Sequence, residues 1–264
     1  MTKDIVSEIK RDYLHNLAEN GRREDGRNFN DTRPISIELG LIESAEGSAR
    51  VKLGQTDLIA GVKINLGEPF PDTPDKGVLT TNAELLPMAS PEFELGPPRE
   101  NAIELARVVD RGIRESQALN IDKLCISPEE KVWIVFIDIH VLDYDGNLFD
   151  AATLGAISAL TNTVIPASRF EEGEDYQLEV QHIPIACTIA KLGKTLLVDP
   201  KLDEEKICEA RLTVTTDENG DIRAMQKGND GYFEVDELKS AIKMAQEVAK
   251  NIRGQFTFLQ PTAQ

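Results

Sequence analysis

The sequence is poor in cysteine, poor in histidine and short of positive charge, and each shortage removes a class of function. Cys125, Cys187 and Cys208 are widely spaced and make no Cys-x-x-Cys pair. They read as reduced, partly buried thiols, which excludes a disulfide framework and a thiolate zinc site. His15, His140 and His182 are equally scattered. A histidine metal site therefore has no support, and His140, inside an apolar run, reads as a hydrogen-bonded strand residue. No cofactor and no metal are expected. No apolar run reaches membrane-spanning length, and residues 1–20 carry Lys3, Asp4, Glu8, Lys10, Arg11 and Asp12 through their apolar positions. That is not the apolar core of a signal peptide; a cytoplasmic protein without a membrane partner is expected. Basic side chains number 29 against 46 acidic, a net charge of −17. A protein that binds nucleic acid alone carries a basic face. Any phosphate contact here must come from a local cluster or from a partner. Dinucleotide and Walker phosphate loops, a Gly-x-Ser-x-Gly elbow, fixed-period repeats and low-complexity segments are absent as well.

What is present is an ordinary globular composition, 41% hydrophobic and 28% charged over 264 residues, enough for one large or two ordinary domains. The chain is organised around residues 131–160. Trp133 to Ile137 is almost continuously apolar, Asp138, His140 and Asp143 then alternate with apolar residues, and Asp145-Gly146-Asn147 makes a sharp turn. Ala151, Ala152, Leu154, Gly155, Ala156, Ile157, Ala159 and Leu160 follow as a small-residue helix. The pattern predicts a buried strand feeding a helix packed closely on it. The turn is a plausible site, because a helix N-terminus presents unpaired N–H groups to anions.

Ile5, Ile9, Tyr13 and Leu17 recur at helical spacing and predict an amphipathic helix over residues 4–20, stopped by Gly21. The arginines of the following loop, residues 21–27, read as a solvated connector. Strands are expected around residues 35–39, 51–53, 58–66 and 78–86, with proline-rich irregular stretches at 67–77 and 87–98. A second helix is expected over residues 100–119, buried through Ile103, Ala106, Val109 or Gly112, and Ile113. Arg107, Arg111 and Arg114 share one of its faces with Glu100 and Glu104. Acid first and base last suits the helix dipole, so a solvated face accounts for this pattern on its own. Residues 166–175 read as a polar linker and domain boundary. Strands follow at 183–192 and 195–198, a hairpin spans 211–226 through Asn219-Gly220, and a last helix covers 235–253, ended by Gly254. Strands precede helices in each half, which predicts an α+β fold of two related units.

Asp143-Tyr-Asp145-Gly146-Asn147 has glycine at the fourth place and Leu154 at the twelfth, which excludes an EF-hand. Asp199, Asp203, Glu204 and Glu205 could hold a metal or act as acid and base; the plainer reading is the exposed start of a short helix.

Several stretches together resemble one family. They are Gly26-Arg27 with Arg33-Pro34-Ile35, Glu46-Gly47-Ser48-Ala49, Leu53-Gly54-Gln55-Thr56 and Asn82-Ala83-Glu84-Leu85-Leu86-Pro87. Gly96-Pro97-Pro98-Arg99-Glu100-Asn101-Ala102-Ile103-Glu104, Val141 to Asn147, and Leu197-Val198-Asp199-Pro200 with Glu204-Glu205 complete the set. Each is weak alone; their order and number are specific, and they run from about residue 26 to residue 254. The chain resembles the RNase PH family, in the form of the non-catalytic ring subunit of the archaeal exosome. The resemblance implies an RNase PH-like fold (ribosomal protein S5 domain 2-like), with an N-terminal helix and loop at 1–26 and α+β halves at 27–168 and 176–258. It implies a hexameric ring, a trimer of heterodimers, in which the chain alternates with a catalytic RNase PH-like paralogue. RNA-binding cap proteins sit on one face, and single-stranded RNA is degraded from its 3′ end with inorganic phosphate as nucleophile.

Departures from the family pattern bear on activity. Active members carry two aspartates six residues apart, which fall here on Glu205 and Arg211, and a guanidinium serves neither as a base nor as a metal ligand. Their Gly-Ser-Arg-type phosphate loop reads Gly146-Asn147-Leu148 here, with no hydroxyl or positive charge beside the glycine. Glu205, Arg211, Gly146 and Asn147 are thus degenerate active-site positions, and no catalytic residue is expected. Arg107 and Arg111 match RNA-contacting positions of the family's non-catalytic subunit, and a guanidinium pair at helical spacing suits successive phosphates. Arg99 and Arg114 are weaker candidates for the same role. Two alternatives stay open at this level: a self-sufficient phosphorolytic nuclease using Asp199, Asp203 and Glu205, and a stand-alone RNA-binding protein.

Overall fold

A computed structural model describes residues 2–261, with side chains from residue 8 onward. β1 (Ile35–Leu39), β2 (Gly47–Leu53), β3 (Thr56–Gly67), β4 (Val78–Leu85), β5 (Cys125–Ser127) and β6 (Lys131–Asp143) make the first sheet. Its order is β1-β2-β3-β6-β4, with β5 on β6. Only β4 and β6 run parallel, so the chain between them must cross over. It does so through α2 (Glu100–Glu115). β7 (Val164–Ile165) and β8 (Tyr176–Gln177) pair as a small clip. The second sheet is antiparallel in the order β10-β9-β11-β12, from β9 (Ile185–Leu192), β10 (Thr195–Val198), β11 (Ala210–Thr216) and β12 (Ile222–Gly228). The remaining helices are α1 (Thr2–Glu19), α3 (Leu148–Thr161), α4 (Leu202–Ile207) and α5 (Val235–Gln255). Among the described residues no helix is long and apolar enough to cross a membrane.

α3 fills the space between the sheets, and Leu148 through Leu160 are all buried. Its small residues make that position possible: a Cβ on Gly155 would lie 2.8 Å from Leu58 Cδ1 of β3, and close packing leaves no slack for it. On its other side Asp150 accepts hydrogen bonds from Thr188 of β9. Side chains alternate along a strand. Lys191, three residues on from Thr188, therefore faces away, and its Nζ meets Glu237 of α5 at 2.5 Å. The layers are first sheet, α2 with α3, second sheet, α5.

The structure departs from sequence expectation in instructive ways. β6 buries Val135, Ile137, Ile139 and Val141 on the α3 side, but Ile134, Phe136 and His140 lie half-buried on an open face. In α1 the buried residues are Leu14 and Ala18, with Ala18 packed against Ala190, Leu192 and Leu197; Ile9 and Tyr13 are exposed, and Ile5 lies outside the described side chains. The helix touches the second sheet through its last turns, which leaves Ile9 and Tyr13 facing outward. α2 stops at Glu115, because Ser116 caps it and Gln117 adopts φ 55°. Its buried residues are Ala102, Leu105, Val108, Val109, Gly112 and Ile113; Val109, Gly112 and Ile113 are buried as expected, but the first two turns bury Ala102 and Leu105 in place of Ile103 and Ala106. Ile103, 47% exposed, falls instead on the face of Arg107 and Arg111. α5 runs through Gly254 to Gln255.

Candidate functional site

The stretches that the sequence singled out converge on the turn at Asp145-Gly146-Asn147. Gly146 takes φ 86°, a conformation natural to glycine. A Cβ there would lie 2.5 Å from Leu202 N and 2.6 Å from Lys201 C, so the start of α4 rests on its bare backbone. Arg33 donates to Asp145 O at 2.6 Å and to Gly146 O at 3.1 Å, and Thr56 Oγ1 donates to Gly146 O at 2.8 Å. The turn's carbonyls are therefore satisfied by β1's approach and by the β2–β3 hairpin.

Asp199 anchors the same assembly from the second half of the chain. It is fully buried with φ 50°, and it accepts from Arg33 N, Nε and Nη2, from Arg27 Nη1 at 2.8 Å and from Asn147 Nδ2 at 2.8 Å. Burial alone would raise its pKa, but the hydrogen bonds and charge of Arg33 prevail and hold it below the usual carboxylate value. Arg23 forms a buried two-pronged pair with Glu204 at 2.9 and 2.6 Å and also donates to Val198 O. The arginines of the 21–27 loop thus include two that reach into the protein, which corrects the reading of that loop as a solvated connector. Asp199 and Glu204 are likewise interior ion-pair partners, not the exposed start of a helix. No local periodicity marks them, because their arginine partners lie more than a hundred residues away.

The position where an anion would meet the turn is filled by the chain itself. Asn147, at φ 58°, is the N-cap of α3, and its N–H donates to Glu205 Oε2 at 2.8 Å. The other oxygen of Glu205 is 3.0 Å from Arg211 Nη1. Arg211 stacks over Phe149 at 4.3 Å from the ring centre and reaches Glu104 Oε1 of α2 at 3.2 Å. Only about 150 Å³ of pocket remains beside this pair. Asp203 is paired with Lys10. Each carboxylate that could serve as base or metal ligand here is thus already bound to a cation or an amide. Among the described residues no group of three or more His, Cys, Asp or Glu side chains is placed to hold a metal ion.

The arginines of α2 lie apart from this turn. An open groove of about 700 Å³ runs between α2 and the edge strand β12, and Ile103, Arg107, Arg111, Arg114, Met225 and Gln226 are among its lining. Arg107 and Arg111 are exposed, and their guanidinium groups take part in no hydrogen bond or ion pair among the described residues. Arg114 is held by Asp110 at 3.1 Å and by Leu79 O at 3.0 Å, and Arg99 is paired with Glu94. The structure thus divides the four candidates into two free guanidinium groups and two engaged ones.

The chain's matches to known proteins agree with this architecture. Residues 31–166 match domain 1 of the 3′ exoribonuclease family, RNase PH, and residues 182–248 match domain 2. The sequence is 55% identical over 253 residues to the exosome complex component Rrp42 of Methanocella arvoryzae, covering 96% of this chain and 97% of the relative. A chain from the Archaeoglobus fulgidus exosome, solved with RNA bound to the active site, superposes with a TM-score of 0.93 at 50% identity over 96% of this chain and 99% of that one. A chain of an archaeal exosome core superposes with a TM-score of 0.90 at 47% identity, covering 97% and 100%.

Proposed function

The chain belongs to the RNase PH family of 3′ exoribonucleases, and we propose that within it the chain is a non-catalytic ring subunit of an exosome that degrades RNA 3′ to 5′ by phosphorolysis. It closes the ring against a catalytic RNase PH-like partner, holds that partner's site in shape, and lends Arg107 and Arg111 to the path of single-stranded RNA. Three such heterodimers, with RNA-binding caps on one face, make up the assembly.

The observation that carries the non-catalytic role is the filled turn. Phosphorolysis needs a seat for phosphate and a carboxylate free to assist the leaving group. Here the seat's amide is bonded to Glu205, and the second carboxylate position is Arg211, bonded to that same Glu205. A phosphate would have to displace a charge-assisted pair and lie against two glutamates. For RNA contact the supporting observation is that Arg107 and Arg111 have no internal partner to give up, so their donors are available without a rearrangement cost. The chain's −17 charge makes the partner necessary to complete a channel attractive to RNA.

The test is activity with RNA and phosphate for this chain alone, for the partner alone and for the mixture. Nucleoside diphosphates should appear with the complex and not with this chain; release by this chain alone would make it a self-sufficient nuclease and end the proposal. Arg107→Ala with Arg111→Ala should leave assembly intact and weaken RNA binding about 10- to 100-fold, the loss of two charge-assisted contacts. Unchanged RNA affinity at low salt would remove these arginines from the RNA path.

A further inference from the structure

Arg211 stands where active relatives are expected to carry a carboxylate, and the surrounding residues accommodate it as a built feature. Its partner in register on β12 is Gly228. A Cβ on Gly228 would lie 2.7 Å from Arg211 Nη2 and 3.0 Å from Nε, and the glycine's φ is not in the left-handed region, so the missing side chain serves space and not conformation. Phe149 supplies the ring under the guanidinium. The side chain is only 11% exposed, in a setting where paired charges interact strongly and unpaired ones are costly.

The guanidinium joins three elements. One arm reaches Glu205 of α4, which in turn holds the Asn147 N–H at the start of α3. The other arm reaches Glu104 of α2, which also accepts from Gln226 of β12 at 3.3 Å. Glu104 is three residues before Arg107 and seven before Arg111, on neighbouring rows of the same helix. Without the cation, Glu104 and Glu205 would face one pocket with nothing between them. Glu205 is held by a backbone amide, so the repulsion would act on α2.

We infer that Arg211 is a positioning residue for RNA: through Glu104 it fixes the placement of α2, and with it the aim of Arg107 and Arg111. The inference rests on the assignment of those two arginines to the RNA path. The residue that marks the lost chemistry thereby serves the function that the subunit retains.

The experiment is steady-state phosphorolysis by the complex reconstituted with the catalytic partner, with KM for RNA and kcat measured for Arg211→Met, Gly228→Ala, Arg107→Ala/Arg111→Ala, and each of the first two in the last background. Arg211→Met and Gly228→Ala should each raise KM about three- to tenfold with kcat within about twofold of the parent, the pattern of weakened binding without altered chemistry. In the Arg107→Ala/Arg111→Ala background neither should raise KM further, because the groups it positions are gone. If Arg107→Ala/Arg111→Ala raises KM while Arg211→Met and Gly228→Ala do not, the positioning role is overturned and the RNA path stands. Additive increases overturn it too, since they mean Arg211 acts by another route. If Arg107→Ala/Arg111→Ala itself leaves KM unchanged, the RNA path fails, and the inference with it. Should the Arg211→Met chain fail to enter the complex, Gly228→Ala, which keeps every charge, decides the matter alone.

Discussion

Asp150 and Asp199 belong to one buried network, bridged by the Asn147 side chain, yet their environments shift them in opposite directions. Asp199 has two arginines on it. Asp150 has no cation: Thr188 and Asn147 hydrogen-bond it, but burial outweighs them and raises its pKa to about 7. Its folded pKa lies above its unfolded value, so the protonated form favours folding. That contribution is fully present below the unfolded value of 3.8, falls as pH rises, and is gone above about 7. Asp150 sits in the first turn of α3, where the helix dipole favours the anion, so the loss is expected to be about 2 kcal/mol and no more than about 4. Asp150→Asn can keep the acceptor for Asn147 Nδ2 and Thr188 N while donating to Thr188 Oγ1. Relative to the parent, it should gain thermal stability progressively from pH 4 to pH 8. A stability difference that does not vary with pH would show that the Asp150 pKa is not raised in the folded protein.

At the scale of elements, the turn before α3 joins the two halves of the chain. Gly146 lies against the backbone that enters α4, and Leu202 N donates to Asp145 O at 3.1 Å. Gly146→Ala combines a strained positive φ with a clash against backbone that cannot swing aside, and should cost about 2–5 kcal/mol of unfolding free energy. Denaturant unfolding measures this, and a loss below about 1 kcal/mol would mean that α4 shifts away freely. Both sides of this junction were legible in sequence to different degrees. The strand–turn–helix of β6 and α3 is marked by apolar alternation, Gly146 and a run of small residues. The β11–β12 hairpin is marked by Asn219-Gly220. The pairing of Arg23 with Glu204 and of Arg33 with Asp199 is not, because an ion pair across 181 or 166 residues leaves no periodicity to read. α2 shows the same limit: its apolar residues occupy more than one arc, and only the position of β4 and α3 decides that Ala102, Leu105 and Val109 go inward while Ile103 stays out. Spacing alone puts Arg107, Arg111 and Arg114 on one face of α2 and leaves Arg99 just before it. What separates them is that Asp110 and Leu79 O lie within reach of Arg114, and Glu94 within reach of Arg99.

For the whole molecule, charge sets how RNA can be held. A chain of net charge −17 repels a polyanion at long range, and two exposed arginines do not reverse that beyond a screening length of about 8 Å at physiological salt. The isolated chain should therefore show no RNA binding at physiological salt, and affinity should appear with the partner. Within the complex the contribution proposed for Arg107 and Arg111 has a signature beyond affinity itself. Each arginine that neutralises a phosphate of single-stranded RNA releases condensed counterions, and the dependence of log affinity on log salt steepens by about 0.7 per contact. Replacing both with alanine should make that slope shallower by about 1.4. A helix that merely shifted, or a complex that merely loosened, would lose affinity and keep the slope, since the remaining phosphate contacts would be unchanged in number. Titrating the parent and the Arg107→Ala/Arg111→Ala complex with one oligonucleotide from about 50 to 200 mM salt separates the two cases. Parallel lines would place both arginines off the phosphates, and converging lines would count the contacts.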